Sequence, residues 1–490
     1  MSLAERLTAK PILQLPLRLS ERRLLLVGLD LAALGIALQL ALVARSIAAF
    51  GWSQMAARPL WFIVLAVIWV AMAHTFDAYE PWVTGRFEAS MRAVVKAALC
   101  TAVLYLLVPY VTPPLPTSRW ALISFPLFIA FTLLTERCLY WVIFPHSAFQ
   151  RNVLVVGAGR AGCTIVSALA QGVETGYRVA GFVDDAPDKQ GAAIPVPAMP
   201  GSTAADRRHS SAIIRVLGDR NALAGLISRH RISALIVAIT HDIDSGLLQL
   251  LLDCMEQGVE VIPMPVLYER LTGRVPVEHV AENWYISMPL EPLHGSALWQ
   301  FTKRLMDIIL SLAGLVVLLS LLPLIAAAIY FDSRGPILYV QRRVGRGGRH
   351  FDAYKFRSMV PNAENGQAVW AAERDPRVTR VGRILRSTHI DEFPQFLNVL
   401  RGDMSAVGPR PERPEIAETL AVEIPFYRLR HAVKPGMGGW GLVRQGYAGT
   451  QEDALMRLQY DLYYIKHQSL WLDIEILLKT IAHALALRGR

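Results

Sequence analysis

Apolar and polar positions divide this chain into three unlike parts. In the first 150 residues four apolar stretches, Leu24–Ala44, Pro59–Phe76, Ala93–Val111 and Trp120–Phe144, alternate with short polar segments. Each approaches the ~20 residues a helix needs to cross a hydrocarbon layer, so the pattern predicts four membrane spans. For the second and third, which are the shortest, a buried core helix is the alternative. From Arg151 to about Leu267 the pattern changes, and short apolar runs such as "NVLVV", "ISALIV" and "VEVIP" alternate with helical spacing. That alternation predicts an α/β unit around a parallel sheet. A fifth apolar run, Leu305–Tyr330, opens the last part, where helical patterns predominate; the final one follows Ser469, a candidate N-cap.

Basic residues orient these segments. Arg18, Arg22 and Arg23 precede the first span, Arg86, Arg92 and Lys96 lie between the second and third, and Arg151 follows the fourth. The opposite loops carry only Arg45 and Arg58, then Arg119. Positive charge collects on the cytoplasmic side, so both ends of the four-span unit are expected there, and residues 151–300 with them. No small-residue cleavage site follows the first run, which therefore reads as an anchor. The fifth run lacks this asymmetry: Lys303 and Arg304 precede it, and Arg334, Arg342 and Arg343 follow. Pro323 inside it removes a backbone hydrogen bond and is expected to kink the helix. Together these predict a re-entrant helix over 305–330 that enters and leaves by the cytoplasmic face; a plain fifth span would place everything after Tyr330 outside the cell. The expected organisation is a four-span transmembrane domain (1–150), a cytoplasmic Rossmann-like α/β domain (151–270), a linker (271–300) and a mostly helical domain (301–490) containing the re-entrant helix.

Composition agrees with a membrane protein: of 490 residues, 53% are apolar and only 18% charged, against about 25% charged in ordinary soluble domains. The net charge of +10 suits basic cytoplasmic faces or anionic phosphate substrates, and with the spans in place no nucleic-acid partner is expected. Cys100, Cys138, Cys163 and Cys254 are scattered without a CxxC pair, which excludes a zinc motif and a disulfide framework.

In the middle domain Gly157, Gly159 and Gly162 form GxGxxG between an apolar strand and a helix, and Asp184 follows near the offset of a ribose-binding acid. This pattern fits NAD or another nucleotide. The same glycines also serve a tight strand-to-helix turn with no ligand, and no Tyr-x-x-x-Lys or other hydride-transfer constellation accompanies them. The Pro-, Gly- and Ala-rich stretch between Asp184 and Ser211 reads as a surface loop.

The last third carries the chemistry. Arg334, Arg342, Arg343, Arg346, Arg349, Lys355 and Arg357 crowd a short segment opposed only by Asp352. Such a belt suits lipid headgroups, while glycines at 345, 347 and 348 suit the approach of backbone N–H groups to a phosphate. Farther on, "RSTHIDEFPQFLNVLRGDMSAVGPRPERPE" sets Asp391 beside Glu392 among arginines. Pro394 is compatible with a first helical turn, so a helix is expected to start just after Asp391, with both acids at its positive end. Arg386 and Arg410 are placed to clamp phosphate oxygens. One carboxylate can then attack phosphorus while the other helps hold a divalent cation; simple helix capping by Asp391 is the alternative.

"YKFRSM", the Asp391–Glu392 segment, "KPGMGGWG" and "LQYDLYYIKHQSLWLDIEILLKT" occur in the order, and with the content, of the bacterial polyprenyl-phosphate sugar-1-phosphate transferases. The chain resembles the large monotopic phosphoglycosyltransferases of that family over about 300–485, and its spans and Rossmann-like domain resemble those of the larger members. The resemblance implies that Asp391 attacks the β-phosphate of a UDP-sugar and releases UMP. The phosphate of undecaprenyl phosphate then takes the sugar phosphate from the aspartate, beginning exopolysaccharide, capsule or O-antigen synthesis. It implies Mg²⁺ held by Glu392 with Asp391, phosphate binding by Lys355, Arg357, Arg386 and Arg410, and a pocket completed by Asp461 and Tyr464. With the charge pattern, a multi-pass protein of the bacterial inner membrane is expected, in contact with membrane lipids and with its active site facing the cytoplasm; dimerisation through the cytoplasmic domain, giving a homodimer, is a separate expectation. One departure concerns the helix break, often Ser-Pro in the family, where Leu322 precedes Pro323 here. Two other functions fit parts of the sequence: a membrane-tethered NAD-dependent nucleotide-sugar dehydratase or oxidoreductase, and a non-catalytic assembly scaffold.

Overall fold

The structure is a computed structural model describing residues 19–44, 57–84, 87–114, 119–143, 151–171, 176–197, 212–239, 244–279, 297–360, 375–445 and 450–485. It divides into two compact units, Met1–Thr272 and Gly273–Arg490. Residues 280–296, the larger part of the expected linker, lie outside the described residues.

The first unit opens with four apolar helices, α1 (Leu19–Ala44), α2 (Pro59–Thr75), α3 (Phe87–Leu107) and α4 (Arg119–Ile143). By length and composition α1, α3 and α4 can each cross a membrane, whereas α2, at 17 residues, falls just short of that length. Leu34, Leu38, Leu65, Trp69, Val94, Ile129 and Leu133 make their shared core. Within this apolar packing sits a polar knot. Asp30, fully buried, accepts hydrogen bonds from Arg137 Nη2 (2.9 Å), Tyr79 OH (2.7 Å) and Trp69 Nε1 (3.3 Å). Charges in an apolar bundle persist when they face inward and pair, and this one ties α1 to α2, α4 and the turn after α2.

The α/β part of the first unit has a sheet in the order β3–β4–β2–β1–β5–β6. Its strands are β1 (Arg151–Val156), β2 (Tyr177–Val183), β3 (Ala193–Val196), β4 (Ala212–Gly218), β5 (Ala234–Val237) and β6 (Glu260–Pro263). All pairings are parallel except β3 with β4. In chain order the parallel strands therefore lie 3-2-1-4-5, as in a doubly wound sheet. Helices α5 (Arg160–Gln171), α6 (Leu223–His230), α7 (Ser245–Glu256) and α8 (Met264–Thr272) complete the unit. Two apolar clusters, around Val153, Ile165, Phe182 and Leu267 and around Leu154, Leu223, Leu235 and Leu251, share the strands between them. That division is why β1 and β5 read as unbroken apolar runs. The stretch expected to be a surface loop contains β3, and its residues 198–211 lie outside the described residues.

The second unit is built along one helix, α9 (Ala297–Asp332), 36 residues long and continuous through Pro323. Its first turns are fastened by charge. Lys303 Nζ reaches Asp473 (2.7 Å) and Arg304 donates to the carbonyls of Val399 (2.7 Å) and Leu400 (2.6 Å). Asp307 accepts from Ser405 Oγ (2.9 Å) and Ala406 N–H (2.8 Å). Halfway along, Gly314 lies so near Phe396 that a Cβ there would fall 2.4 Å from the ring. At the far end Ile325 and Ile329 pack with Phe356 and Leu385, and Asp332 accepts from Val381 N–H (2.9 Å). Both ends of α9 are thus held by the same folded body, while many apolar side chains along it stay exposed.

Around α9 stand an antiparallel hairpin, β7 (Leu338–Val344) with β8 (His350–Phe356), and α10 (Arg380–Ser387). A 3-10 turn over Ile390–Gln395 follows, running directly into α11 (Phe396–Arg401), then β9 (Ser405–Val407) and α12 (Pro414–Glu423). The chain closes with β10 (Gly436–Gly438), α13 (Trp440–Gln445), α14 (Gln451–Lys466) and α15 (Leu470–Leu485). Ser469 caps α15 as its sequence suggests, accepting from Leu472 N–H. Thr450 and Asp453 form a reciprocal capping box on α14.

Candidate active site

Asp391 and Glu392 lie in the 3-10 turn before α11, following His389 in the left-handed conformation (φ 58°). They are only 8% exposed each, because the turn is packed between β8 and α9. The expectation of a helix starting just after Asp391 is met by a 3-10 turn and a six-residue α-helix. So short a helix has little dipole to offer, and no side-chain cap marks its start. Stabilisation of the acids comes instead from side-chain cations.

Glu392 receives most of them. Lys355, carried on β8, places Nζ 2.7 Å from Oε1, and Arg410, from the segment after β9, grips both oxygens at 2.6 and 3.2 Å. Burial alone would raise the pKa of Glu392, but these two cations hold it well below the ordinary carboxylate range. Asp391 has no such clamp. Burial, and then the Glu392 charge beside it, push its pKa up to about 7, against the opposing pull of Lys355, Arg386 and Arg410. Two neighbouring carboxylates are thereby set apart, one firmly ionised and one poised near neutrality, which is the pattern of a site that divides roles between two acids.

Arg386, on α10, stands within electrostatic reach of Asp391 and of Asp375, and its guanidinium has no hydrogen-bond partner among the described residues. Lys355, Arg386 and Arg410 are therefore gathered around the acids. Arg357 is not: its guanidinium is bonded to the carbonyl and hydroxyl of Ser333 at the end of α9. Asp461 is one layer removed. It accepts from Arg430 Nη2 (2.8 Å), which also donates to the carbonyl of Arg410 (2.9 Å), so Asp461 supports the backbone of the arginine on Glu392. Tyr464 belongs to the fastening of α9, bonding Asp473 (2.8 Å) and the Val407 carbonyl (3.1 Å). The glycines at 345 and 348 close the β7–β8 turn with their own amides. Arg430 and Glu412, which draw the surrounding arginines together, escaped sequence reasoning; only the place of Glu412 just after "GPRP" hinted at it.

Among the described residues no group of three or more His, Cys, Asp or Glu side chains converges as a metal site. Asp391 and Glu392 offer the hard oxygen donors that Mg²⁺ prefers, and Mg²⁺ commonly takes one or two carboxylates plus substrate phosphates. In the middle domain Gly157 has φ 104° and Gly162 packs so closely that a Cβ would fall 2.1 Å from the Gly157 carbonyl oxygen. Asp184 accepts from Ala158 N–H (2.8 Å) and Ala186 N–H (3.0 Å) and pairs with Lys189 (3.2 Å). Asp184, the acid expected to hold a ribose, thus also shapes the glycine loop.

Comparison with known proteins places this geometry in a family. Residues 298–486 match the model described as "Bacterial sugar transferase", and residues 74–265 match one described as "CoA-binding domain". The UDP-N-acetylgalactosamine-undecaprenyl-phosphate N-acetylgalactosaminephosphotransferase of Aeromonas hydrophila is 43% identical over 228 residues, 46% of this chain and 53% of that protein. The UDP-glucose:undecaprenyl-phosphate glucose-1-phosphate transferase of Escherichia coli (strain K12) is 40% identical over 199 residues, 40% of this chain and 43% of the relative. These matches span about half of each relative or less. The exopolysaccharide production protein PSS of Rhizobium leguminosarum bv. phaseoli is 40% identical over 194 residues, 38% of this chain but 96% of the relative. With the acids, their cations and α9 all inside the matched segment, the chain belongs to the bacterial polyprenyl-phosphate sugar-1-phosphate transferase family.

Proposed function

We propose that this protein transfers a sugar 1-phosphate from a UDP-sugar to undecaprenyl phosphate, through a covalent aspartate intermediate. The observation that carries the reading is the unequal carboxylate pair, with Glu392 bound to Lys355 and Arg410 and Asp391 buried beside it without a clamp. In the first step ionised Asp391 forms a bond to the β-phosphorus as the bond to UMP breaks. In the second, a phosphate oxygen of undecaprenyl phosphate bonds to that phosphorus and the aspartate leaves. Lys355, Arg386 and Arg410 supply the positive charge without which a diphosphate would repel the attacking carboxylate. Glu392 keeps Lys355 and Arg410 in place until the diphosphate arrives. Mg²⁺, when held by Glu392 and Asp391 with substrate phosphates, supplies further neutralisation of diphosphate charge.

The re-entrant reading of α9 rests on the fastening of both its ends, Lys303–Asp307 and Ile325–Asp332, to one folded body. A straight crossing would need those ends on opposite sides of the bilayer. We accordingly place the catalytic domain on the cytoplasmic face of the bacterial inner membrane, where nucleotide sugars are available. The sheet order of the middle domain supports a Rossmann-like fold, and no redox step is derived from it. Homodimerisation is a further part of the proposal, checked by the mass of the protein in native-lipid particles.

The test is UMP release from a panel of UDP-sugars with undecaprenyl phosphate and Mg²⁺, for the parent and for Asp391→Asn. Release with one sugar, abolished in the variant, is expected. Undiminished release by the variant would remove Asp391 as nucleophile.

A further inference from the structure

Lys434 is half-buried and stands among cations. Its Nζ lies 3.4 Å from the point that a Cβ on Gly402 would occupy, and Arg304 Nη2 lies 3.7 Å from the same point. Arg346, on the β7–β8 turn, is close enough to repel it as well. Lys434 itself forms no hydrogen bond or ion pair among the described residues. The anions in reach do not relieve it. Asp307 is committed to Ser405 and Ala406, Asp403 is exposed on the turn after α11, and neither forms an ion pair with Lys434. Arg304 spends its hydrogen bonds on the Val399 and Leu400 carbonyls, which leave its charge uncompensated. Burial and the flanking arginines together push the lysine pKa down.

A cation withdrawn from water beside other cations is costly unless an anion joins it. A Cβ on Gly402 would already touch both Lys434 Nζ (3.4 Å) and Arg304 Nη2 (3.7 Å), so the two cations lie on the same side of Gly402. Both nitrogens lie within 4 Å of one point, so they are at most about 7 Å apart, a separation that the oxygens of a single phosphate can bridge. Arg304 sits in the first turns of α9, where Leu298 and Phe301 are 74% and 66% exposed and Leu305 is exposed too. That stretch is where the apolar helix meets the surface of the domain, so apolar chains have a path beside the cations. Gly402 is ten residues past Glu392, roughly 15 Å along the 3-10 turn and α11. Neither Asp391 nor Glu392 figures among the charges that act on Lys434, so the position is separate from the acids.

We propose that Lys434 and Arg304 form a second anion site, which binds the headgroup phosphate of a bilayer phospholipid and seats the start of α9 at the membrane surface. The inference concerns binding at rest and does not depend on the transfer reaction.

The experiment measures retention of radiolabelled phosphatidylglycerol by the detergent-solubilised full chain, without sugar donor, for the parent, Lys434→Gln and Lys434→Arg. Loss of one charge-assisted contact should weaken retention about tenfold to a hundredfold in Lys434→Gln, with recovery in Lys434→Arg. Thermal unfolding of Lys434→Gln should be no lower than the parent's, because the change removes repulsion. Equal retention by Lys434→Gln and the parent would overturn the site. Displacement of the label by undecaprenyl phosphate at a tenfold lower concentration than by unlabelled phosphatidylglycerol would overturn the headgroup assignment in favour of the acceptor lipid. Because no UMP is read, failure of the transferase proposal leaves this result untouched, and the reverse also holds.

Discussion

Replacing Asp391 by asparagine should stabilise the protein above pH 7, and replacing its neighbour Glu392 by glutamine should do the opposite. An aspartate in an unfolded chain releases its proton near 3.8, whereas in the folded protein Asp391 releases it near 7. Between those values the folded state holds a proton that the unfolded state has lost, so stability falls as pH rises through the window. Above pH 7 the full cost is present. At about 1.4 kcal/mol for each tenfold change in proton affinity, it amounts to roughly 4 kcal/mol. Asparagine carries no such charge but keeps its own polar atoms buried, which leaves a gain of about 2–4 kcal/mol. Glu392 has the reverse sign: its pKa is depressed, so its contribution is present above its ordinary value of 4.5 and lost as pH falls. Removing it strands Lys355 and Arg410, at a cost of about 3–5 kcal/mol. The assay is thermal unfolding of the full chain in nanodiscs at pH 5 and pH 8. At about 2–4 °C per kcal/mol for a unit of this size, Asp391→Asn should unfold several degrees above the parent at pH 8, with a smaller difference at pH 5. A variant that unfolds at or below the parent at pH 8, or with the same difference at both pH values, would refute the account of the acid pair.

Three further outcomes are expected. Arg430→Leu leaves buried Asp461 without its cation and should lower stability by about 3–5 kcal/mol, read by urea unfolding of the full chain. Gly162→Ala sets a methyl group against the Gly157 carbonyl oxygen, so limited proteolysis should cut the middle domain of the variant far faster than that of the parent. Arg137→Leu leaves Asp30 without its cation inside the helical bundle and should reduce the monodisperse fraction on size exclusion. Adding Asp30→Asn should restore it, and failure of that rescue would show that the pair is not what binds the bundle.

The sequence by itself was enough for the apolar helices, the strand-rich middle domain and the acid pair among arginines, because these rest on local signals: run length, periodicity, and charged residues a few positions apart. It was also enough for the family resemblance, since the motifs occur in order over the last third. What only the tertiary structure decided is which cation serves which acid. Lys355, Arg386 and Arg410 come from a strand, a helix and a loop that converge on Asp391 and Glu392, while Arg357, two residues from Lys355, turns to the end of α9 instead. Alternation along an extended segment would put residues two apart on one face, but β8 ends at Phe356 and Arg357 lies just beyond it. Their different partners follow from where α9 ends against β8. Nor could the spacing alone show that Asp184 also receives two backbone amides and a lysine. Unequal proton affinity in adjacent acids likewise has no sequence signature, because it depends on burial and on charges brought close only when distant segments pack.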